Sequence, residues 1–267
     1  MKKLYFIGSG KMATAIAGGV VSAGIISSAE MGAFDPAEAA ADTFADATGI
    51  LTDTDSPVNG IADAEAILIA VKPQMITTAL SPYRDLLKNK RLISIAAGIT
   101  IAKLHEITGA ARIIRVMPNT PALVGKGASA FAAADACTEA DIDFAKTLLD
   151  AVGLSMTVKE NDLDAVTALS GSGPAYVFEF IQALADGGVA EGLTRDAALQ
   201  LAIQTVAGAA EMVKATGEHP SALKDKVTSP AGTTSRALEL LASQGFSGTV
   251  IQAVRAAAAR SRELGKC

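Results

Sequence analysis

Apolar residues follow two different patterns along the chain. Up to about residue 160, short apolar runs alternate with longer amphipathic stretches. Leu4–Ile7, Met31–Phe34, Ile67–Val71, Leu92–Ala96 and Ile113–Met117 are such runs, each followed within two residues by Gly, Asp or Pro. Runs of that length, bounded in that way, predict buried strands. Between them, Met12–Ala23, Pro36–Ala47, Met75–Leu87 and Ile101–Thr108 carry the helical pattern. Glu139–Ala151 adds a helix and Ser155–Val158 a last strand. Strands alternating with helices predict βαβ units in a doubly wound, mostly parallel sheet covered on both faces. After Asn161 the pattern changes. Asp162–Leu169, Ala175–Glu191, Arg195–Thr216, Ser221–Val227, Ser235–Ser243 and Thr249–Leu264 all favour helix, most of them separated by Gly or Pro. The chain therefore reads as an α/β domain over residues 1–159 and an all-helical domain over 160–267. No low-complexity linker separates them, so close apposition is expected.

Composition sharpens this picture. Half of the 267 residues are hydrophobic, yet aromatics make up 4% and Trp is absent. Alanine alone supplies 54 positions, so the excess is small side chains. No stretch reaches the ~18–20 apolar residues of a membrane-spanning helix. The run after Lys2-Lys3 ends at Gly8, too short for a signal peptide core. A cytoplasmic protein is expected. Net charge is −5, with Lys and Arg scattered, which gives no nucleic-acid footprint. Cys137 and Cys267 show neither metal spacing nor a disulfide framework. Cys137 reads as a pocket thiol and Cys267 as an exposed terminal one.

Gly8-Ser9-Gly10-Lys11-Met12-Ala13 follows the first strand and opens the first helix. This is G-x-G-x-x-A. The first glycine permits a tight turn, the second lets backbone approach a pyrophosphate, and the small third residue lets helix and strand pack closely. Free N–H groups at the helix start then face the phosphates. Asp35 ends the second strand, 22 residues beyond Ala13, close to the ~20 expected of a ribose-binding acid. It can equally cap the helix begun by Pro36. Taken alone, an acid there favours NAD over NADP, and no Arg stands nearby to receive a 2′-phosphate. Ala70-Val71-Lys72-Pro73, Ala97-Gly98 and Met117-Pro118-Asn119-Thr120-Pro121 end three further strands, where ligands bind in open α/β sheets.

These segments closely resemble the Δ1-pyrroline-5-carboxylate reductases, the last enzymes of proline biosynthesis. The resemblance continues through Ala168-Leu169-Ser170-Gly171-Ser172-Gly173-Pro174-Ala175-Tyr176 and spans the whole chain in order. Its most diagnostic block is His219–Thr234, ending Ser229-Pro230-Ala231-Gly232-Thr233-Thr234. The family resemblance implies a Rossmann-type N-terminal domain and a helical C-terminal dimerisation domain. It implies a homodimer, assembled five-fold into a decamer in many members, and NADP(H) as coenzyme with NAD(H) commonly accepted.

By the same resemblance, Gly8, Ser9, Gly10, Lys11, Met12, Ala13, Asp35, Ala70, Val71, Lys72, Pro73, Ala97, Gly98 and Asn119 line the coenzyme. Ser229, Gly232, Thr233 and Thr234 take the carboxylate of pyrroline-5-carboxylate. Thr234, nearest the imine nitrogen, is the expected catalytic hydroxyl. The bland reading of the last four is a helix cap worth about 1 kcal/mol, but caps rarely need Gly-Thr-Thr together. Asn119 could instead start a turn, and Lys72 could be a solvated charge. His219 reads as a loop or capping residue. Gly171, Gly173 and Pro174 mark a kink or a close passage of a partner. Many family members place an Asn on the coenzyme ribose, upstream of Ala70. Here the stretch reads Asp53–Asn59, and Asn59 is not clearly its equivalent.

Overall fold

The structure, a computed structural model, describes residues 1–265, so Cys267 lies outside the described residues. The chain divides into two packed units, Met1–Ser172 with the segment from Ala257 onward, and Gly173–Ala256. The first unit therefore extends past the boundary expected near residue 160 and takes in residues 160–172.

The first unit is built on one sheet. Its strands are β1 (Lys2–Ile7), β2 (Met31–Phe34), β3 (Thr52–Asp53), β4 (Ala64–Ile69), β5 (Arg91–Ser94), β6 (Ile113–Met117), β7 (Gly127–Ala133) and β8 (Gly153–Thr157). The spatial order is β3-β2-β1-β4-β5-β6-β7-β8. All neighbours are parallel except β6 and β7, which run antiparallel. The helices of this unit are α1 (Lys11–Ser22), α2 (Glu38–Thr48), α3 (Val58–Asp63), α4 (Ile76–Leu80), α5 (Arg84–Leu87), α6 (Ile101–Thr108), α7 (Glu139–Asp150) and α8 (Leu163–Val166).

Side-chain alternation explains why both faces need covering. On β1, Leu4 and Phe6 point into a core with Ile16, Phe44, Ile114 and Leu148 from the α1, α2 and α7 side. Tyr5 and Ile7 point into the opposite core with Ile61, Leu80, Leu87 and Leu104. Successive residues of a strand face opposite ways, so a run apolar at every position must be buried on both sides. Each fully buried Leu, Ile or Phe contributes ~1.5–3 kcal/mol.

Five elements differ from the sequence reading, two of them, β3 and α3, lying where no element was expected. The helix expected over Met75–Leu87 is broken, because Pro82 lacks an N–H and a 3₁₀ turn, Ser81–Tyr83, separates α4 from α5. The helix expected over Asp162–Leu169 is a short α8 followed by a π-turn, Thr167–Gly171. Strand β7, Gly-Ala-Ser-Ala-Phe-Ala-Ala, carries no β-branched residue and gave no strand signal. It forms because β6 and β8 pair with it on either side.

The second unit comprises α9 (Gly173–Ala190), α10 (Arg195–Thr216), α11 (Pro220–Lys226), α12 (Thr233–Ser243) and the first part of α13 (Phe246–Leu264). Helices α9 and α10 approach through small residues. A Cβ added at Gly188 would stand 3.2 Å from the Ala198 Cβ. Among the described residues, the buried core here is Ala185, Ala198 and Ala202. The end of α13 packs in the first unit, where the Ser261 hydroxyl donates to Asp164 Oδ1 at 2.6 Å. No helix among the described residues is long and apolar enough to cross a membrane.

Candidate active site

Strands β1, β2, β4, β5 and β6 run parallel, so their carboxyl ends share one edge of the sheet. That edge gathers Gly8-Ser9-Gly10, Asp35, Ala70–Pro73, Ala97-Gly98 and Asn119. Strand β1 lies between β2 and β4, where the order reverses, and such a switch point opens a crevice. Gly8 sits there at φ +96°, and a Cβ on it would lie 2.9 Å from the carbonyl of Ala70. Only glycine satisfies both conditions. Gly10 is different. It caps α1 at φ −67°, contributes no side-chain hydrogen bond, and has open space where a Cβ would stand.

The N–H groups of Lys11, Met12 and Ala13 have no intrahelical acceptors, since they form the first turn of a helix. Open space at Gly10, backbone donors and the positive end of α1 fit a dinucleotide pyrophosphate. Gly98, at φ +77°, also faces open space. Lys72 and Pro73 are exposed, with Pro73 opening a 3₁₀ turn after β4.

Two expected coenzyme contacts are tied inward. Asp35 Oδ2 accepts the Ser9 amide at 2.9 Å and the Ser9 hydroxyl at 3.0 Å, while Oδ1 accepts the Ala37 amide at 3.0 Å. The side chain therefore fixes the glycine turn to the end of β2, besides serving the turn into α2. Asn119 is 8% exposed. Its Nδ2 donates to the Ser170 carbonyl at 3.0 Å, and its Oδ1 accepts the Ala128 amide at 2.8 Å. Buried between two backbone partners, it clamps the turn after β6 to β7 and to the π-turn. Its hydrogen bonds serve positioning.

The Ser229–Thr234 segment lies in the second unit, between α11 and α12. Gly232 caps α12 without a side-chain bond, and its amide donates to the Ser229 carbonyl at 3.1 Å. A Cβ on Gly232 would lie 2.2 Å from Ser229 Oγ. Ala231 adopts φ +56°, the left-handed region seldom occupied by alanine. The tight bend brings Ser229 Oγ beside Gly232 and places Thr233 and Thr234 at the first two positions of an eleven-residue helix. Its first-turn N–H groups and dipole suit a carboxylate.

Two family models match the chain. A pyrroline-5-carboxylate reductase dimerisation model matches residues 160–264, and a model described as NADP oxidoreductase coenzyme F420-dependent matches residues 3–98. The pyrroline-5-carboxylate reductase of Glycine max is 45% identical over 98% of this chain and 95% of its own length. That of Methanosarcina acetivorans is 42% identical over 99% and 98%. This chain belongs to the pyrroline-5-carboxylate reductase family. Two solved structures of the family agree. The Coxiella burnetii enzyme superposes with a TM-score of 0.93 at 34% identity, covering 98% of each chain. The Plasmodium falciparum enzyme, solved with NADP bound, gives 0.88 at 35% identity over 99% and 98%.

Within this family member, the remaining polar residues sort by geometry. His219 caps α11, its Nδ1 accepting the Ser221 amide at 3.2 Å, so it is a capping residue. Cys137 is partly buried and donates to the Ile113 carbonyl at 3.4 Å. Burial, with the nearby Asp141 charge, pushes its thiol pKa up, which suits an inert structural thiol. Asn59 is exposed on α3. A methyl on Gly171 would stand 2.5 Å from the Met117 Cε, so Gly171 makes room for Met117.

Among the linkages that sequence reasoning missed is one at the crevice side of β6. Arg115, on β6, is buried and pairs with Glu160, which also accepts the Ile101 amide. The only sequence signal is a charged residue inside an apolar run.

Proposed function

We propose that this protein reduces Δ1-pyrroline-5-carboxylate to L-proline with NAD(P)H, the last step of proline biosynthesis. The observation that carries this reading is family identity of 39–48% with reductases, most of it over nearly the full chain. The segment from Ser229 to Thr234 offers what the substrate's chemistry needs.

The substrate is a cyclic imine bearing a carboxylate. The N–H groups opening α12, with Ser229, Gly232 and Thr233, hold the carboxylate and fix the ring. The Thr234 hydroxyl hydrogen-bonds the imine nitrogen and steadies it as it takes up a proton. Such a nitrogen protonates readily, so positioning outweighs acid strength. Gly8, Ser9, Gly10, Lys11, Met12 and Ala13 cradle the pyrophosphate, and Asp35 faces the ribose beside them. Ala70, Val71, Lys72, Pro73, Ala97 and Gly98 line the rest of the crevice, and Asn119 holds its floor. When bound, the reduced nicotinamide supplies a hydride to the imine carbon.

The helical unit supports a homodimer. Phe178 is 63% exposed and Leu201 58%, beside a core of three alanines. A monomer rarely leaves that much apolar surface in water. A decamer of five dimers is the larger assembly the family resemblance implies. The cytoplasm is the compartment this reading implies.

The deciding assay follows NADPH and NADH oxidation on addition of pyrroline-5-carboxylate. Proline formation with either coenzyme supports the reading, and absence of turnover with both overturns it.

A further inference from the structure

We infer that Ser261, near the end of α13, is a positioning residue for the coenzyme: through Asp164 it holds the chain after α13 beside Gly98, and so sets the loop after β5 for coenzyme binding. This rests on the coenzyme crevice proposed above and adds to it a residue that touches no coenzyme in that reading.

A series of contacts carries the inference, all of it within the first unit. Helix α8 is the fixed base. Its Leu163 is buried with Ala130 and Ala132 of β7, and Ile101 packs on the same cluster. One residue on, Asp164 Oδ1 accepts the Ser261 hydroxyl at 2.6 Å. The Ser261 carbonyl in turn accepts the Gly265 amide at 3.0 Å, closing the turn that ends α13. A Cβ on Gly265 would stand 3.8 Å from the Gly98 carbonyl oxygen, so the backbone there lies beside Gly98.

Gly98 needs such support. It occupies the left-handed region at φ +77°, and glycine is conformationally the freest residue a loop can carry. The two ends of its loop are held by hydrogen bonds. The Ile95 amide donates to the Ile69 carbonyl at 3.0 Å, and the Ile101 amide to Glu160 at 2.7 Å. Between the loop, α6 and the end of α13 lies a cavity of about 420 Å³, lined by Gly98, Thr100, Lys103, Glu106 and Leu264. Dense packing therefore does not fix the loop on that side, and the approach of Gly265 limits its movement.

Ser261 is the joint in this series. Among the described residues, α13 buries Ala258 and Ser261, and of these two only Ser261 has a side chain that hydrogen-bonds. Without its hydroxyl the end of α13 is no longer tied to α8, and Gly98 samples conformations that the coenzyme must reorder. Ordering a loop on binding costs affinity.

The test reads coenzyme binding directly. NADPH is titrated into the full-length protein without substrate, and Kd is read from nicotinamide fluorescence. Ser261→Ala should raise Kd about three- to tenfold, the range set by one hydrogen bond. Asp164→Ala should do the same, and the double variant should add little, because both changes break one bond. Asp164→Asn keeps an acceptor and should bind as the wild type does. Ser155→Ala removes another serine-to-aspartate bond of 2.6 Å, to Asp150, and should leave Kd unchanged. In hydrogen exchange, the amides of residues 97–99 should exchange faster in Ser261→Ala and not in Ser155→Ala. If Ser261→Ala folds poorly, Ser261→Cys, a weak donor, takes its place. Wild-type affinity in the Ser261 variant overturns the inference while the crevice stands, as does an equal weakening in Ser155→Ala. Failure of the wild type to bind NADPH overturns the crevice and the inference together.

Discussion

Glu160 Oε1 lies 3.1 Å from the guanidinium of Arg115 and accepts the Ile101 amide at 2.7 Å. One carboxylate thus joins β6 to the start of α6, beneath the edge where the coenzyme crevice forms. Arg115 is only 9% exposed, so its charge depends on this partner. Glu160→Ala leaves a buried cation and an unsatisfied amide, and should cost about 3 kcal/mol. Glu160→Gln keeps the acceptor for Ile101 and should cost less. Urea unfolding of the three proteins checks the order.

The two glycines of the fingerprint should fail in different ways. Gly8→Ala forces a side chain onto φ +96° and against the Ala70 carbonyl. It should lose about 2 kcal/mol or more of stability. Gly10→Ala meets no protein atom and should fold with a near-normal melting temperature. If the coenzyme pyrophosphate lies over Gly10 as proposed, the added methyl should nonetheless weaken coenzyme binding, because it fills the open space there. Thermal melts with and without coenzyme separate the two effects.

Thr234→Ala should lower kcat/KM by one to three decades, roughly 1.4–4 kcal/mol of transition-state stabilisation. Thr234→Ser, retaining a hydroxyl, should recover most of it. If Ser229 contacts the carboxylate as proposed, in ground and transition states alike, Ser229→Ala should act chiefly on KM. Steady-state kinetics that leave Thr234→Ala unchanged would remove it from the mechanism.

Asp141 predicts part of the acid response. Burial opposes its charge, but hydrogen bonds from the Thr138 amide and hydroxyl and from Arg91 prevail, holding its pKa below the usual aspartate value. A depressed native pKa stabilises the fold above the unfolded value of ~3.9. That stabilisation is lost as pH falls through the native pKa. Asp141→Asn should be less stable near neutrality, and its deficit should shrink between about pH 5 and pH 2. Denaturant midpoints across that range provide the check.

Phe178→Glu places a charge on the exposed apolar face of α9. Light scattering should give the wild type a mass of at least twice 27.0 kDa and the variant a smaller one. A wild-type monomer would contradict the proposed homodimer.

Much of the fold was legible because its signals are local. Ile113–Met117, Ile101–Thr108, Met31–Phe34 and Arg195–Thr216 appear with the bounds their residues predict. Apolar runs need burial, and Gly, Pro and cap residues mark where a run must stop. The glycine fingerprint was legible for the same reason, since Gly8 answers to a φ angle and a neighbouring backbone. The diagnostic Ser229–Thr234 block was found by resemblance, and its local geometry then gave it a physical reading.

Sequence alone therefore determined the two patterns of secondary structure, the strand ends that form the crevice, and the family. Tertiary structure decided what no local signal encodes. Strand β7 exists because β6 and β8 supply its hydrogen bonds, although its own residues prefer no strand. Asn119 acts as a clamp because Ser170, 51 residues on, and Ala128, across the turn after β6, present their backbone to its side-chain amide. Asp35 acquired a fixed orientation from Ser9, 26 residues earlier. A side chain's type sets which bonds it can make, but the folded chain sets which partners are within reach.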